Sequence, residues 1–440
     1  MKFFIHTFGC QMNTSDSEHI AGMLLASGLT ASATPEESDL IIVNTCAVRE
    51  KSEEKLYSLL GRLESLKEKK GTIIGVVGCV AQLHRSKLWD KKPSLDFIIG
   101  PDNYGKISQI IPSQTSKKVL FTEWSPEWLD QPVQQIKRNS KVSAYITIME
   151  GCNNFCSYCV VPFTRGREKY RPIPSILGEA EELASKGYKE IQLLGQNVNS
   201  YINPETGSNF AALLEEINKI ANIEWIRFIT SHPKNFTDEI AYAMKKANKV
   251  CHQLHLPIQS GSTSVLQRMN RGYSREEYLE KIGLLRKLMP DIHLSTDIIV
   301  GFPGETQVEF QETLSLLASV RYTNIFSFRY SPRPQTAAAK KENNIAFEEK
   351  KNRLIQVQAL QRKIQLEKNK SLIGQTQKIL CTGISKKDPH VYTGRNAGYQ
   401  VVNFNSPNDV FDQFIWVKIL SCGPYSLFGE KAEFPSFSDN

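Results

Sequence analysis

AYITIMEGCNNFCSYC, residues 144–159, is the stretch on which the fold of this chain turns. Its first six residues, Ala144 to Met149, form a short, largely apolar run, a pattern that predicts a buried strand. The strand feeds at once into C-x3-C-x2-C, made by Cys152, Cys156 and Cys159. Three thiolates in one short loop can grip a cubane iron–sulfur cluster at three irons and leave the fourth iron without a protein ligand. Electron-transfer clusters and structural zinc sites fill all four positions. With no fourth ligand nearby, an open-site cluster is the stronger reading; a zinc knuckle or three unrelated thiols are the alternatives.

Working outward from this strand, the same alternation recurs six times between Val142 and about Tyr330. Strands are predicted over Ala144–Met149, Ile191–Leu194, Trp225–Thr230, Gln253–Ile258, Leu294–Val300 and Asn324–Tyr330. Helices are predicted over Leu177–Lys186, Phe210–Ile220, Asp238–Lys246, Glu276–Leu288 and Val308–Val320. Six strand–helix units are too few to close an eight-stranded barrel, so the expectation for residues 138–369 is an incomplete barrel with an open side. An amphipathic helix, Glu348–Asn369, follows with Leu354, Val357, Leu360 and Ile364 on one face.

Upstream, Phe3–Ile5, Leu40–Val43 and Ile73–Val77 read as strands and Asp16–Ser27 and Glu50–Lys69 as helices, which predicts an open parallel α/β sheet over residues 1–117. Cys10, Cys46 and Cys79 each follow one of these strands at once. Loops leaving the carboxyl ends of parallel strands meet on one edge, so the three thiols should converge there and could hold a second cluster. The alternative is that strand-end cysteines are small apolar fillers. Residues 118–137, with tryptophans and prolines and no period, read as a linker. Residues 370–433 are short-stranded and glycine-punctuated, which suits a small all-β barrel. Cys251, Cys381 and Cys422 have no comparable setting and read as core or surface thiols.

Composition bounds the rest. Nine cysteines, an odd number, in a chain whose start lacks the apolar region of a signal peptide argue against a disulfide framework and for ligand or catalytic thiols. No apolar stretch reaches the roughly 20 residues of a membrane span, so a soluble cytoplasmic protein is expected. The net charge is +8, of which residues 138–369 carry +7 and residues 370–440 only +1. That local excess is compatible with a polyanionic partner, although a solvated basic face would look the same.

At this point the chain resembles a known family. A C-x3-C-x2-C loop after the first strand of a six-unit partial barrel looks like a radical S-adenosylmethionine (SAM) enzyme; a preceding three-cysteine α/β domain and a terminal β-barrel make it similar to the methylthiotransferases. The resemblance covers roughly Met1 to Glu430. FGCQMN (8–13), VNTCAVREKSEEK (43–55), VGCVAQ (77–82), IMEGCNNFCSYCVVPFTRGRE (148–168) and LLGQNVNSY (193–201) look most like the branch that acts on tRNA. That branch places a methylthio group on C2 of N6-isopentenyladenosine beside the anticodon, at position 37. The resemblance implies two [4Fe-4S] clusters, one on Cys152, Cys156 and Cys159 and one on Cys10, Cys46 and Cys79. SAM would chelate the open iron of the first and be cleaved to a 5′-deoxyadenosyl radical that takes hydrogen from C2, while the second would supply sulfur. The cofactors carry the hard bond breaking and the protein places the base between them.

The resemblance also implies roles by position. Tyr158 matches an aromatic near the cofactor adenine, and Gln196, Asn197, Gln259, Ser260 and Gly301 lie at carboxyl ends of barrel strands, where cofactor contacts are built. For Glu305 and Asp297, capping or ion pairing is the expectation. RNA contact is expected from Arg165, Arg167, Lys169 and Arg171, close to Cys152, Cys156 and Cys159, and from Lys386, Lys387 and Arg395 in a terminal segment that resembles a TRAM domain. Further partners implied are a low-potential electron donor such as flavodoxin or ferredoxin and iron–sulfur assembly proteins, with the enzyme a monomer. Gln335 and Ala337 replace the glycine and proline usual in the family, and Asn396 replaces a common threonine, so the loop after the sixth strand and the detail of RNA contact are expected to differ. Sister branches acting on threonylcarbamoyladenosine in tRNA or on a ribosomal-protein aspartate share both trios. A non-catalytic iron–sulfur RNA-binding sensor is the rival from another class.

Overall fold

Short apolar runs pair side by side in the first unit. The computed structural model describes residues 1–110, 118–125 and 136–433. In it β1 (Lys2–Phe8), β2 (Thr30–Ala31), β3 (Leu40–Thr45), β4 (Ile73–Val77), β5 (Phe97–Ile99) and β6 (Val119–Phe121) form one parallel sheet in the order β2-β1-β3-β4-β5-β6. β3 is buried along its whole length, as a central strand flanked by other layers must be. The connections include α1 (Gln11–Ala26), α2 (Glu50–Lys70) and the short α3 (Cys79–His84) and α4 (Lys87–Lys91). Leu56, Leu59, Leu60 and Leu63 are the buried stripe of α2, which stops at Gly71 in the left-handed conformation, φ 68°.

β6 corrects one expected boundary. Val119–Phe121 pairs with β5, so the first unit runs past residue 117 and the linker begins later. The ladder of an edge strand, which depends on its neighbour, decided this where local composition did not. Residues 126–135 of the expected linker lie outside the described residues. Where the chain is described again it is tied to α1, with Lys137 N–H donating to Glu18 O (3.1 Å) and Asn139 N–H to Glu18 Oε1 (2.9 Å).

The second unit holds the six expected parallel strands. β7 (Ser143–Thr147) runs into a two-stranded hairpin of β8 (Met149–Glu150) and β9 (Lys169–Tyr170), which brackets α5 (Val161–Thr164). Then come α6 (Ile173–Ser185), β10 (Glu190–Leu194), α7 (Phe210–Asn218), β11 (Trp225–Phe228), α8 (Asp238–Lys246), β12 (Gln253–His255), α9 (Thr263–Arg268), α10 (Arg275–Leu288), β13 (His293–Val300), α11 (Gln307–Val320) and β14 (Asn324–Arg329). The strands pair as β7-β10-β11 and β12-β13-β14, joined by the bridge Ile226–Val250. β7 and β14 are the outer strands of an open barrel. α12 (Phe347–Lys370) follows, with Val357 and Ile364 buried as its period predicts.

The first unit spans that open side. α1 lies along β7, with Ser15 Oγ 3.4 Å from Thr147 Oγ1. The loop after Cys46 reaches the end of β14, where Ser331 Oγ donates to Glu50 Oε2 (2.9 Å) and Arg333 Nη2 to Val48 O (3.2 Å).

The last unit is the expected small all-β barrel, closed by five strands: β15 (Thr376–Ile384), β16 (Tyr392–Asn396), β17 (Val401–Asn405), β18 (Phe414–Cys422) and β19 (Leu427–Ala432). It packs on the amino-terminal ends of the central strands. Arg227 donates to Asn396 O (2.8 Å) and Ala397 O (2.6 Å), and the Trp225 and Phe414 rings meet edge to face at 4.6 Å. Among the described residues no helix is long and apolar enough to cross a membrane.

Candidate functional site

Two glycines set the geometry of the first trio. Gly9 and Gly78 precede Cys10 and Cys79 at φ +148° and +90°. A Cβ on Gly9 would lie 2.7 Å from the Cys46 Cβ, and one on Gly78 would lie 2.4 Å from Asn44 Oδ1, so only glycine lets the strand-end loops approach this closely. Asn44 is fully buried and ties the loops together: its Oδ1 accepts from Asn13 Nδ2 (3.0 Å) and its Nδ2 donates to Asn13 O (2.9 Å).

The three thiols converge as their strand-end positions predict. Cys10 caps the amino terminus of α1, where the helix dipole favours a thiolate. A hydrogen bond from the Cys46 thiol, opposed by burial and aided by Asn13 and Arg165, holds Cys10 down at about 6. Cys46 is pushed well up by that same bond, by burial and by the charges of Cys10 and Cys79. Val48 N–H donates to the Cys46 sulfur at 3.4 Å.

The second trio sits in the loop between β8 and α5. Gln196 Oε1, at the end of β10, accepts from Gly151 N–H (2.5 Å) and fixes the start of this loop. Burial pushes Cys152 up to about 11 and Cys159 up to about 12, with Cys156 adding to both. The sulfurs have donors around them: Asn154 Nδ2 at 3.7 Å from Cys152, Arg271 Nη1 at 3.2 Å from Cys156 and His232 Nε2 at 3.6 Å from Cys156. Burial, then Arg271 and Lys234, push His232 down to about 2, so the ring is neutral. Its Nδ1 accepts from Lys234 N–H (3.2 Å), which leaves the proton on Nε2, facing the sulfur.

The donor sets suit iron–sulfur clusters. Thiol trios supplied with N–H donors are built to carry negative sulfur, and donors to cluster sulfurs tune such sites. Among the described residues no group of His, Cys, Asp or Glu is placed to hold a single metal ion. Thiolates on separate irons of a cubane stand farther apart than ligands of one ion. Beside the second trio, Asn197 Oδ1 and Ser231 Oγ are buried with no hydrogen-bond partner among the described residues, so the upper barrel is lined by polar atoms in need of one.

The other anticipated residues divide. Tyr158 packs on Val265, Met269, Phe302, Tyr330 and Ala338, and its hydroxyl accepts from Arg271 Nη1 (3.3 Å). Asn197 Nδ2 donates to Asn235 Oδ1 (2.9 Å). Gln259 is buried in the left-handed region, φ +78°, a strained backbone for a non-glycine residue at a strand end. Ser260 is a correction: it is fully buried, with its hydroxyl 3.3 Å from Thr313 Oγ1 of α11, turned to the helical layer. Gly301 donates its N–H to Glu305 Oε2 (2.6 Å), and Glu305 pairs with Arg353 (2.8 Å), so the expected ion-pair role of Glu305 holds. Asp297 pairs with His255 (3.5 Å).

The expected RNA run needs a larger correction. Arg165 is 2% exposed and bonded to Asp16, to Glu150 (3.4 Å) and to the Cys79 sulfur (3.3 Å). Arg171 is buried and pairs with Glu179, and Lys169 pairs with Asp102 at 2.7 Å. Carboxylates from the first unit and from α6 claim these cations, which local spacing does not reveal. Arg167 is exposed and lies 4.4 Å over the Phe155 ring. Lys386 and Lys387 are exposed; Arg395 is partly buried at the joint with the central barrel, 4.2 Å over the Tyr399 ring. Sequence reasoning missed Arg271, His232 and Asn235, whose types and surroundings give no signal until α9 and the loop after β11 are folded onto the cysteine loop.

Comparison with known proteins extends this geometry. The family described as "Uncharacterized protein family UPF0004" matches residues 2–100, and the Radical SAM superfamily matches residues 146–317. The chain is 44% identical over 434 residues to the tRNA-2-methylthio-N(6)-dimethylallyladenosine synthase of Geobacter metallireducens, covering 98% of each chain. It is 46% identical over 428 residues to the synthase of the same name from Thermodesulfovibrio yellowstonii, covering 97% of this chain and 98% of that one. Among solved structures, the radical S-adenosylmethionine methyltransferase TsrM of Kitasatospora setae superposes with a TM-score of 0.56 at 13% identity, over 77% of this chain and 75% of that chain. That likeness is one of fold.

Proposed function

The chain belongs to the tRNA-2-methylthio-N6-dimethylallyladenosine synthase family, and from that membership we propose that it is a radical SAM methylthiotransferase acting on C2 of dimethylallyladenosine in tRNA. One observation carries the reading to the residues. α3, which begins at Cys79, packs on α5, which follows Cys159, and Val160 enters the core of the first unit. The two thiol sets are therefore neighbours across a domain boundary, as a reaction needing a radical source and a sulfur source at one carbon requires.

In this reading Cys152, Cys156 and Cys159 hold one [4Fe-4S] cluster and Cys10, Cys46 and Cys79 a second. Together with SAM these groups supply one-electron bond cleavage and sulfur, chemistry that no side chain provides. The chain's own residues bind and orient. Gln196 fixes the cysteine loop, while Arg271 and His232 Nε2–H donate to Cys156. The unpartnered Asn197 Oδ1 and Ser231 Oγ suit the amino group of SAM, and the apolar cluster around Tyr158 suits its adenine. The first unit, lying over the open side of the barrel, restricts water. Arg167, Lys386 and Lys387 remain available for RNA phosphate. A low-potential electron donor such as flavodoxin or ferredoxin, iron–sulfur assembly proteins and a cytoplasmic setting complete the proposal.

The test is mass spectrometry of tRNA nucleosides from a strain lacking the gene, with and without complementation. Loss of 2-methylthio-N6-isopentenyladenosine, with its unthiolated precursor accumulating, is expected. Persistence of that nucleoside would overturn the reading.

A further inference from the structure

β14 is unusual among the strands of the central barrel in leaving a large apolar side chain open to solvent. Along it Ile325 packs into the central core and Arg329 lies 4.2 Å over the Phe347 ring of α12, so this alternating set faces the helices. Phe326 and Phe328 point the other way, into the barrel. There the Phe326 ring meets His255 at 5.8 Å, beside Asp297. Phe326 is nevertheless 42% exposed and Val48, across the domain boundary, 49% exposed. Apolar surface left open within a cleft marks a binding surface more often than a fault in packing.

The patch is bound to the set of Cys10, Cys46 and Cys79. Val48 N–H donates to the Cys46 sulfur (3.4 Å), and the next residue, Arg49, places its guanidinium 5.5 Å from the Phe328 ring and 6.0 Å from the Phe326 ring. A nucleoside that receives sulfur from the Cys46 side of the cleft is thereby brought within reach of these rings. A dimethylallyl group has no hydrogen-bonding atom, so apolar area and shape are the only means by which a protein can recognise it.

We propose that Phe326 and Phe328 of β14, with Val48 of the facing loop, form the wall that receives the N6-dimethylallyl group of the substrate adenosine and so set substrate specificity. The proposal rests on the function inferred above. It assigns to β14 a selection that the cysteines cannot make, since they serve the chemistry whatever the N6 substituent is.

The test uses the full-length protein reconstituted with iron and sulfide, and two anticodon stem-loop RNAs that differ only in the dimethylallyl group. Dissociation constants for both are measured for the unaltered protein, Phe326→Ser and Phe326→Leu. The unaltered protein should prefer the prenylated RNA by about tenfold or more. Phe326→Ser should cut that ratio several-fold and Phe326→Leu, which keeps apolar area, should retain most of it. A general structural defect would weaken both affinities in step. Equal ratios in the unaltered protein and Phe326→Ser, or no preference in the unaltered protein, would overturn the wall. Methylthio product formed from the prenylated RNA by the unaltered protein is scored alongside: with product formed, failure of the wall leaves the enzyme's function standing; with none formed, the function itself fails.

Discussion

The Arg165 guanidinium crosses from the central barrel into the first unit and sets its Nε 3.3 Å from the sulfur of Cys79. The same group bonds to Asp16 of α1 and to Glu150, and burial of this network leaves one cation serving two carboxylates and a thiol. Each would be costly to bury alone. Arg165 thus couples the position of the Cys79 thiol to the docking of two domains.

Replacing Arg165 by Gln should therefore lower stability by about 3–5 kcal/mol, because Asp16 is left buried without its partner. Iron bound to the first trio should fall as well. Denaturant unfolding and iron analysis of the purified variant check both, and Asp16→Asn, which alters the same network from the other side, should lose less stability when combined with Arg165→Gln than alone.

The two trios should separate by function. Cys156→Ala is expected to reduce 5′-deoxyadenosine formation from SAM to background, whereas Cys46→Ala should retain it and form no methylthio product. Liquid chromatography with mass detection measures both products in one reaction. Methylthio product from Cys46→Ala would remove the first trio from sulfur transfer.

Arg271 donates to the Cys156 sulfur at 3.2 Å and to Pro257 O at 2.6 Å. A cationic donor to a cluster thiolate stabilises the reduced, more negative state. Arg271→Gln should shift the midpoint potential of the cluster proposed on Cys152, Cys156 and Cys159 to more negative values, followed by electron paramagnetic resonance during potentiometric titration. An unchanged potential with unchanged iron content would leave Arg271 only a packing role.

His293 sits where the terminal barrel meets the central one, and a Cβ on Gly398 would lie 2.5 Å from its ring. Burial, with Lys368, Arg227 and His252 opposing a proton and Asp291 favouring it, pushes its pKa down to about 4 from 6.5. The unfolded chain takes up this proton as pH falls through 6.5 while the folded chain does not, so the stabilisation is complete above pH 6.5 and is lost between 6.5 and 4. The full loss is on the order of 3 kcal/mol. His293→Gln should flatten the dependence of unfolding free energy on pH across that window. Gly398→Val should destabilise the joint by about 1–3 kcal/mol at all pH values.

Much of this was legible along the chain because it is local. The alternation of apolar runs with helical periods located β3, β4 and all six barrel strands to within a few residues, and the place of Cys10, Cys46 and Cys79 after successive strands was enough to predict their convergence. β6 was missed because three residues carry no period, and Ser260 was misjudged because a strand-end residue can turn to either layer.

The sequence by itself determined the three units, the two thiol sets and the chemistry they suit, since strand period and ligand spacing act over a few residues. Only the tertiary structure decided which cations are spent inside. Arg165 finds Asp16 across 149 positions and Arg227 finds Asn396 across 169, and neither pairing leaves a mark on the neighbouring residues. The docking of the first unit over the gap between β7 and β14, and with it the opening of Phe326 beside the Cys46 loop, has the same cause: burial and charge pairing are settled by surfaces that meet only once the chain has folded.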